Sequence, residues 1–94
     1  MAKYKMFVKT CISITDVEMV VNYRNQGWLF CENEKYHSGM VIIKNTIDLE
    51  IEPDLIPAYA EAFGDMTGYE LCYIFSEDGD EWEWNKEWEF VKVR

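Results

Sequence analysis

Tyr69-Glu70-Leu71-Cys72-Tyr73-Ile74-Phe75 places apolar side chains on both alternating faces of one extended segment. A strand with one solvated face alternates apolar and polar residues, whereas a strand covered on both faces is almost continuously apolar. Asp78-Gly79 follows shortly afterwards, and this dipeptide favours tight hairpin turns. The stretch therefore predicts a strand in the interior of a sheet, followed by a hairpin.

The N-terminal segment from Lys3 to Ile14 alternates with period two, which predicts a strand with one buried face. A helix is predicted over residues 16–26. Thr15 as N-cap and Glu18 three positions later form a capping box, and Gly27 is free to adopt the left-handed conformation after the helix. The apolar stripe facing the core is predicted to contain Val17, Val20 and Val21, with Met19 and Tyr23 beside it.

Two apolar runs, 28–31 and 40–43, flank a polar stretch with a Ser38-Gly39 turn and predict a hairpin. Residues 47–51 alternate between apolar and acidic side chains, which predicts a strand with one solvated, acidic face. Lys44-Asn45 between them is consistent with a tight turn or with a bulge inside one long strand. The sequence leaves both alternatives open.

A second helix is predicted from about Asp54 to Phe63. Pro53 and Pro57 are tolerated only near the first turn of such a helix, and Gly64 is expected to end it. The last segment is predicted to be a strand with a bulge near Phe90, where the apolar phase changes. One face would carry Trp82, Trp84, Trp88 and Phe90, and the other Glu81, Glu83, Glu87 and Glu89.

The elements together predict one domain over residues 1–94 of class α+β. The chain has 94 residues, 49% of them hydrophobic, a composition typical of one small globular domain. The order β-α-β-β-α-β with an added C-terminal strand is that of the ferredoxin-like plan, an antiparallel sheet with both helices on one face. The alternative is a curled α+β roll in which residues 28–51 form a three-stranded meander.

The carboxylates are concentrated in the second half of the chain, where Asp48 to Glu89 contains fourteen acidic residues and a single lysine, Lys86. The net charge of −9 argues against direct binding to nucleic acid or to an anionic membrane, because both draw affinity from Lys and Arg. Like charges on one surface build a potential that attracts a counter-charged partner. The charge pattern therefore favours a basic protein as partner.

The three cysteines, Cys11, Cys31 and Cys72, are widely spaced in apolar runs and form no disulfide framework or metal-binding pair. Cys11 and Cys72 are expected to be buried and unbridged. The N-terminal residues 1–5 lack the apolar region of a signal peptide, and no stretch approaches the ~20 apolar residues of a membrane span. A cytoplasmic protein is expected.

No motif predicts catalysis, a metal site or a cofactor. His37 is the single histidine, beside Ser38, and no third residue that could orient it is recognisable. The acidic segment 77–81 lacks the ligand spacing of a calcium-binding loop. The carboxylates are too numerous and too regularly placed on polar strand faces to single out an acid–base pair. The sequence therefore predicts a protein that is not an enzyme.

The acidic strand faces are the candidate binding residues. Alternate residues along a strand lie about 7 Å apart, and phosphates along one DNA strand recur at about that separation. Such rows of carboxylates can therefore bind in the groove of a protein that ordinarily holds nucleic acid. The candidate partner-binding residues are Asp48, Glu50, Glu52, Asp78, Asp80, Glu81 and Glu83, with Trp82 or Trp84 as apolar anchor. The competing interpretation of the tryptophans is that they form the core face of a strand.

In size and charge the chain resembles the small acidic inhibitors that phages make against host defence enzymes, including anti-restriction and anti-CRISPR proteins. This resemblance rests on composition and on no motif. It implies a non-catalytic inhibitor that mimics DNA, binds a basic nucleic-acid-binding surface of a protein and, if viral, acts in the host cytoplasm. The alternative is a regulatory or small-ligand-binding ferredoxin-like domain that uses the open sheet face and its Trp and Tyr residues.

Overall fold

A six-stranded antiparallel sheet and two helices make up the part of the chain that the computed structural model describes, residues 2–31 and 40–94. The strands are β1 (Ala2–Ser13), β2 (Leu29–Cys31), β3 (Met40–Ile51), β4 (Glu70–Phe75), β5 (Glu81–Trp84) and β6 (Phe90–Lys92). The helices are α1 (Val17–Asn25) and α2 (Ile56–Thr67), and a 3-10 turn over Pro53–Leu55 precedes α2. Neither helix is long and apolar enough to cross a membrane.

The strand order is β2-β3-β1-β4-β5-β6, so β4 lies in the interior between β1 and β5. The prediction of an interior strand at residues 70–75 is confirmed, and a turn after Phe75 leads into β5 as the Asp78-Gly79 dipeptide indicated. β4 pairs with only the middle of β1, from Lys5 opposite Phe75 to Lys9 opposite Glu70. Both ends of β1 therefore extend past β4.

β3 is one continuous strand. It pairs with β1 without a register shift, from Ala2 opposite Ile51 to Ser13 opposite Met40, so there is neither a turn nor a bulge at Lys44-Asn45. β2 pairs with the first half of β3, which confirms the predicted pairing of these two apolar runs. The predicted Ser38-Gly39 turn lies outside the described residues. Because 40–51 is a single strand, the three-stranded meander of the alternative fold is not found.

One face of the sheet forms the core with α2. Tyr4, Met6 and Val8 of β1 are buried on this face, as the period-two pattern predicts. The Tyr59 hydroxyl of α2 donates to Met6 Sδ at 3.8 Å. The helix buries one side against the sheet, through Ile56, Ala60 and Phe63.

The C-terminal end of α1 is tied to the same face. Asn45 lies opposite Val8 in the register, and its Nδ2 donates to the Gln26 carbonyl at 3.2 Å. Gly27 follows with a φ of +95°, and a Cβ there would lie 3.1 Å from the Asn45 Oδ1. Trp28 is buried next to it. The prediction that Gly27 takes the left-handed conformation is therefore confirmed, and the close approach to Asn45 adds a second reason for glycine.

The predicted N-cap of α1 is wrong, and of the predicted apolar stripe only Val20 is partly buried. Asp16 is the N-cap, because its carboxylate accepts from the Met19 backbone N–H at 2.8 Å. Val17 and Val21 are 78% and 49% exposed. The side of α1 that packs on the core is set by Tyr23, which lies edge-on to the Trp28 ring. At about 100° per residue, Val21 points about 160° away from that side.

The predicted end of the second helix is also wrong. Gly64 lies inside α2, and its carbonyl accepts from the Gly68 N–H at 2.8 Å. Gly68, with a φ of +78°, is the residue that ends the helix. Glycine lowers helix propensity without forbidding the helical conformation, so packing of the neighbouring Phe63 carries the helix through Gly64.

The C-terminal segment is a hairpin rather than one strand with a bulge near Phe90. β5 and β6 pair antiparallel, with Trp82 opposite Lys92 and Trp84 opposite Phe90. The apolar residues continue on one face across the turn because paired residues of an antiparallel ladder share a face. The Trp84 and Phe90 rings meet at 4.9 Å. The same alternating pattern therefore fits two paired strands as well as one long strand.

Candidate protein-binding surface

The acidic row of β3 lies on the sheet face away from both helices, called here the open face, which carries Lys5, Phe7 and Tyr73. On this face β1 places its lysines beside the acidic row, with Lys5 opposite Asp48 and Lys3 opposite Glu50. Lys5 Nζ is 2.9 Å from Asp48 Oδ1. The hydrogen bond from Lys5 to Asp48, together with the negative charge of that carboxylate, raises the pKa of Lys5. The acidic row is therefore partly neutralised by the protein's own lysines.

A cleft of about 550 Å³ opens at the end of the sheet where β1 extends past β4, and it is called here the end cleft. The first residues of β1 and the end of β3 form one wall, and the turn between β4 and β5 forms the other. Its charged lining residues are Asp48, Glu50, Glu77, Asp78, Asp80, Lys3 and Lys5. Five carboxylates against two ammonium groups leave the end cleft with a net charge of −3.

The turn that forms the second wall is held by its own hydrogen bonds. The Ser76 N–H donates to the Asp80 carbonyl at 2.9 Å, and the Asp80 N–H donates to Ser76 Oγ at 3.1 Å. Gly79 has a φ of +97°, as the predicted Asp-Gly turn requires. Asp80 is 3.3 Å from Lys92 Nζ. Asp78 at the tip is exposed and makes no ion pair within the described part of the chain.

The remaining predicted acidic residues do not line this cleft. Glu81 is on the open face opposite Phe75, 3.9 Å from Arg94 Nε. Glu83 is exposed and lies on the same face of β5. Glu52 is exposed just beyond β3, and its carbonyl accepts from the Leu55 N–H. The structure thus joins Asp48 and Glu50 with Asp78 and Asp80 in one cleft.

Trp82 and Trp84 are core residues, so they do not form an exposed anchor on this surface. Trp82 is only 5% exposed. Trp84 is partly buried, and its Nε1 donates to the Leu71 carbonyl at 2.8 Å. Glu81 and Glu83 occupy the open face of β5. Because side chains alternate along a strand, both indoles lie on the covered face. The interpretation of these two tryptophans as the core face of a strand is confirmed.

Trp88 is the exposed tryptophan of this protein, and it was not among the predicted anchors. It lies in the loop 85–89 between β5 and β6, is 79% exposed and has a φ of +61°. Such a left-handed backbone costs a residue with a side chain roughly 1–2 kcal/mol. The polar stretch Asn85-Lys86-Glu87 between two strand-like runs is compatible with a reversal before Trp88, but the sequence alone does not distinguish it from a bulge.

An aromatic cluster lies in the middle of the open face. The Phe7 and Tyr73 rings are stacked with centroids 5.1 Å apart and an interplanar angle of 8°. Phe75 follows, with its ring centroid 5.8 Å from that of Tyr73. All three rings are partly exposed. The cluster is the aromatic surface available to a planar ligand on this side of the sheet.

The cysteines are unbridged but not fully buried, so the burial prediction for Cys11 and Cys72 is wrong. Cys11, Cys31 and Cys72 are free and partly exposed. Cys11 and Cys31 both lie opposite Ile42 from the two sides of β3, which separates them by two strand spacings, about 10 Å. That distance exceeds the reach of a disulfide. Burial raises the pKa of the Cys72 thiol, which disfavours the reactive thiolate.

Residues 2–31 and 40–94 contain no group of three or more side chains that could hold a metal ion. His37 lies outside the described residues. No protein-family model matches the chain, and no curated protein or solved structure matches it significantly. A functional proposal for this protein therefore depends on its own charges and surfaces.

Proposed function

We propose that this protein is a non-catalytic binding module that docks on a basic, nucleic-acid-binding surface of a partner protein. The end cleft is the observation that carries the proposal. Carboxylates from β3 and from the β4–β5 turn, which are distant in the sequence, line one concave surface of net charge −3. The protein's overall charge of −9 adds a long-range attraction that speeds association with a basic partner.

The arrangement supports mimicry of nucleic acid as the mode of binding. A groove that binds DNA or RNA presents Lys and Arg side chains at the spacing of phosphates. Asp48 and Glu50 alternate along β3 at about 7 Å, and Asp78 faces them from the turn. Their exposed oxygens offer acceptors to such cations. Docking of this kind would prevent the partner from holding its nucleic acid.

The resemblance in size and charge to phage inhibitors supports a narrower partner class. Restriction and CRISPR nucleases are basic nucleic-acid-binding enzymes whose grooves an acidic module could occupy. We therefore propose an anti-defence inhibitor that acts in the cytoplasm of the cell where such an enzyme is found. We also propose that the fold is a ferredoxin-like domain extended by the β5–β6 hairpin. The strand order β2-β3-β1-β4, with α1 and α2 between the strands, supports this proposal.

The proposal is tested by reversing two cleft charges that make no ion pair in the described part of the chain. The variant is Glu50→Lys with Asp78→Lys. Its matched control is Glu61→Lys with Asp65→Lys, which makes the same charge change on exposed positions of α2. Wild-type protein and both variants are immobilised and exposed to lysate of the producing cell at ~50 mM salt, where screening is weak. Bound proteins are eluted with short duplex DNA and identified by mass spectrometry.

We expect a basic protein that duplex DNA displaces from the wild type and from the α2 control. Its affinity for the cleft variant should fall at least about ten-fold, which corresponds to about 1.4 kcal/mol. Elution should also occur below ~0.5 M salt, where charges are screened within about 5 Å. A partner that resists both DNA and salt, and that binds the cleft variant as well as the wild type, would contradict the mimic proposal.

The second candidate function is binding of a small planar ligand on the open face. The stacked rings of Phe7 and Tyr73, with Phe75 beside them, are the observation that favours it. NMR titration with a library of aromatic metabolites checks this candidate. Chemical-shift changes confined to β1 and β4, and lost in Tyr73→Leu, would support a ligand site. If no compound shifts these resonances at millimolar concentration, this candidate fails.

A further inference from the structure

We infer that Trp88 is the apolar anchor by which the protein docks into a pocket on its basic partner. The inference rests on the proposed function and names the residue that would hold the complex together. Charge steers the encounter of two proteins, whereas buried aromatic area commonly dominates the affinity of the complex. Trp82 is buried in the core and Trp84 is packed against it, so neither indole is exposed as an anchor.

Neither the backbone conformation of Trp88 nor its side chain stabilises the protein in the absence of a partner. The Trp88 N–H donates to the Asn85 carbonyl at 3.1 Å, as in a β-turn, and Trp88 then adopts a φ of +61°. Hairpin loops of this kind usually place glycine at the left-handed position. The indole is 79% exposed, so burial does not offset the backbone strain. Strained backbone conformations cluster at binding and active sites.

The loop presents Trp88 in a preorganised form. Asn85 Oδ1 accepts from the Glu87 N–H at 3.0 Å and from the Glu89 N–H at 2.8 Å. The Asn85 N–H donates to the Glu89 carbonyl at 2.9 Å, which closes the hairpin. A rigid loop loses little conformational entropy when a partner captures its tip. An exposed tryptophan on such a loop is therefore a favourable anchor.

The charges around Trp88 define the chemistry of the partner. Glu87 and Glu89 flank it in the loop and are exposed, and Glu83 is exposed on the adjoining strand. Protein interfaces combine an apolar centre with a polar rim. The complementary surface is an apolar pocket of indole size, rimmed by Lys or Arg. The loop 85–89 and the turn 76–80 adjoin opposite ends of β5, so one basic protein reaches both Trp88 and the end cleft by spanning the length of that strand, about 13 Å.

The test is the substitution Trp88→Gly, for which binding and stability should change in opposite directions. Glycine relieves the left-handed strain, so the melting temperature should rise by about 5 °C. The control is Lys86→Gly, which changes the same loop without removing the indole. The probe is the protein that duplex DNA displaces from immobilised wild type, purified and titrated against each variant.

We expect Trp88→Gly to weaken binding of that probe at least ten-fold and Lys86→Gly to change it less than two-fold. Unchanged binding by Trp88→Gly, alongside weakened binding by the cleft variant, would overturn the anchor and leave the proposed function intact. Loss with Trp88→Gly but not with the cleft variant would support the anchor and contradict the mimic proposal. If the wild type is a dimer and Trp88→Gly is a monomer, the indole serves self-association and the inference is overturned. The inference is also overturned if the wild type captures no protein that Trp88→Gly fails to capture.

Discussion

The Tyr4 ring meets the Trp82 indole edge-on, with ring centroids 5.3 Å apart and an interplanar angle of 86°. The two residues lie on β1 and β5, which are separated by β4, so the contact crosses an intervening strand. Both are buried on the covered face. The contact therefore joins the N-terminal strand to the C-terminal hairpin, and it makes Trp82 a structural residue.

The first prediction follows from this contact. Trp82→Ala should reduce the free energy of unfolding by about 3–5 kcal/mol, the usual cost of removing a buried aromatic side chain. Trp88→Ala should change it by less than about 0.5 kcal/mol, because the indole is exposed and alanine keeps the same backbone strain. Urea unfolding monitored by far-UV circular dichroism measures both. Equal losses for the two variants would contradict the assignment of Trp82 to the core.

The second prediction concerns the two glycines of α2. Gly64→Ala should stabilise the protein by about 0.5–1 kcal/mol, since alanine has the higher helix propensity. The nearest atom to the new methyl group is the Tyr69 carbonyl oxygen at 3.8 Å, an ordinary contact. Gly68→Ala should destabilise by about 1–2 kcal/mol because of the φ of +78°. Thermal melts of both variants provide the measurement, and melting shifts of the same sign would show that α2 ends elsewhere.

The third prediction concerns alkaline pH. Burial raises the pKa of Tyr4 above its ordinary value of 10.0, and the negative charge of Asp80 adds to the effect. The folded protein therefore holds this proton more tightly than the unfolded chain, so the stabilisation is complete below about pH 10 and decreases as pH rises further. Tyr4→Phe should lose less stability than the wild type between pH 8 and pH 11. Urea midpoints across this range measure the difference, and parallel pH profiles would exclude Tyr4 as the titrating group.

The fourth prediction concerns thiol reactivity. Because burial raises the pKa of Cys72 and the thiolate is the reactive form, its labelling by a bulky reagent at pH 8 should be slower in the folded protein than in urea. A variant with Cys11 and Cys31 replaced by serine isolates this thiol. In this variant we expect a slower labelling rate in the folded protein than in urea, because the raised pKa leaves less thiolate at pH 8. Labelling at the same rate in both states would show that Cys72 is open to solvent.

The fold was predictable wherever local pattern and packing agree. The alternation in β1 and the doubly apolar run of β4 placed both strands correctly, since a strand's side-chain period is fixed by its backbone. The pattern could not choose between a bulge and a reversal at 85–89, because both keep Trp84 and Phe90 on one face. Gly64 was wrongly predicted to end the helix, because the low helix propensity of glycine is a small effect compared with tertiary packing.

The candidate surface was predictable in composition and not in geometry. The acidic residues were identified from their alternation, and the structure brings Asp48 and Glu50 to the same cleft as Asp78 and Asp80. The sequence did not show that Lys3 and Lys5 would lie opposite the acidic row, because cross-strand neighbours depend on register. It also did not distinguish the buried Trp82 from the exposed Trp88.

The sequence by itself determined the side-chain periods and the charge that specify an acidic α+β protein, because these depend on neighbouring residues alone. Tertiary structure decided which carboxylates meet and which tryptophan reaches solvent. The end cleft exists because β1 extends past the last pair with β4, at Lys5 and Phe75. Strand pairing joins residues that are far apart in the chain, and no local pattern records which distant residue will become a neighbour.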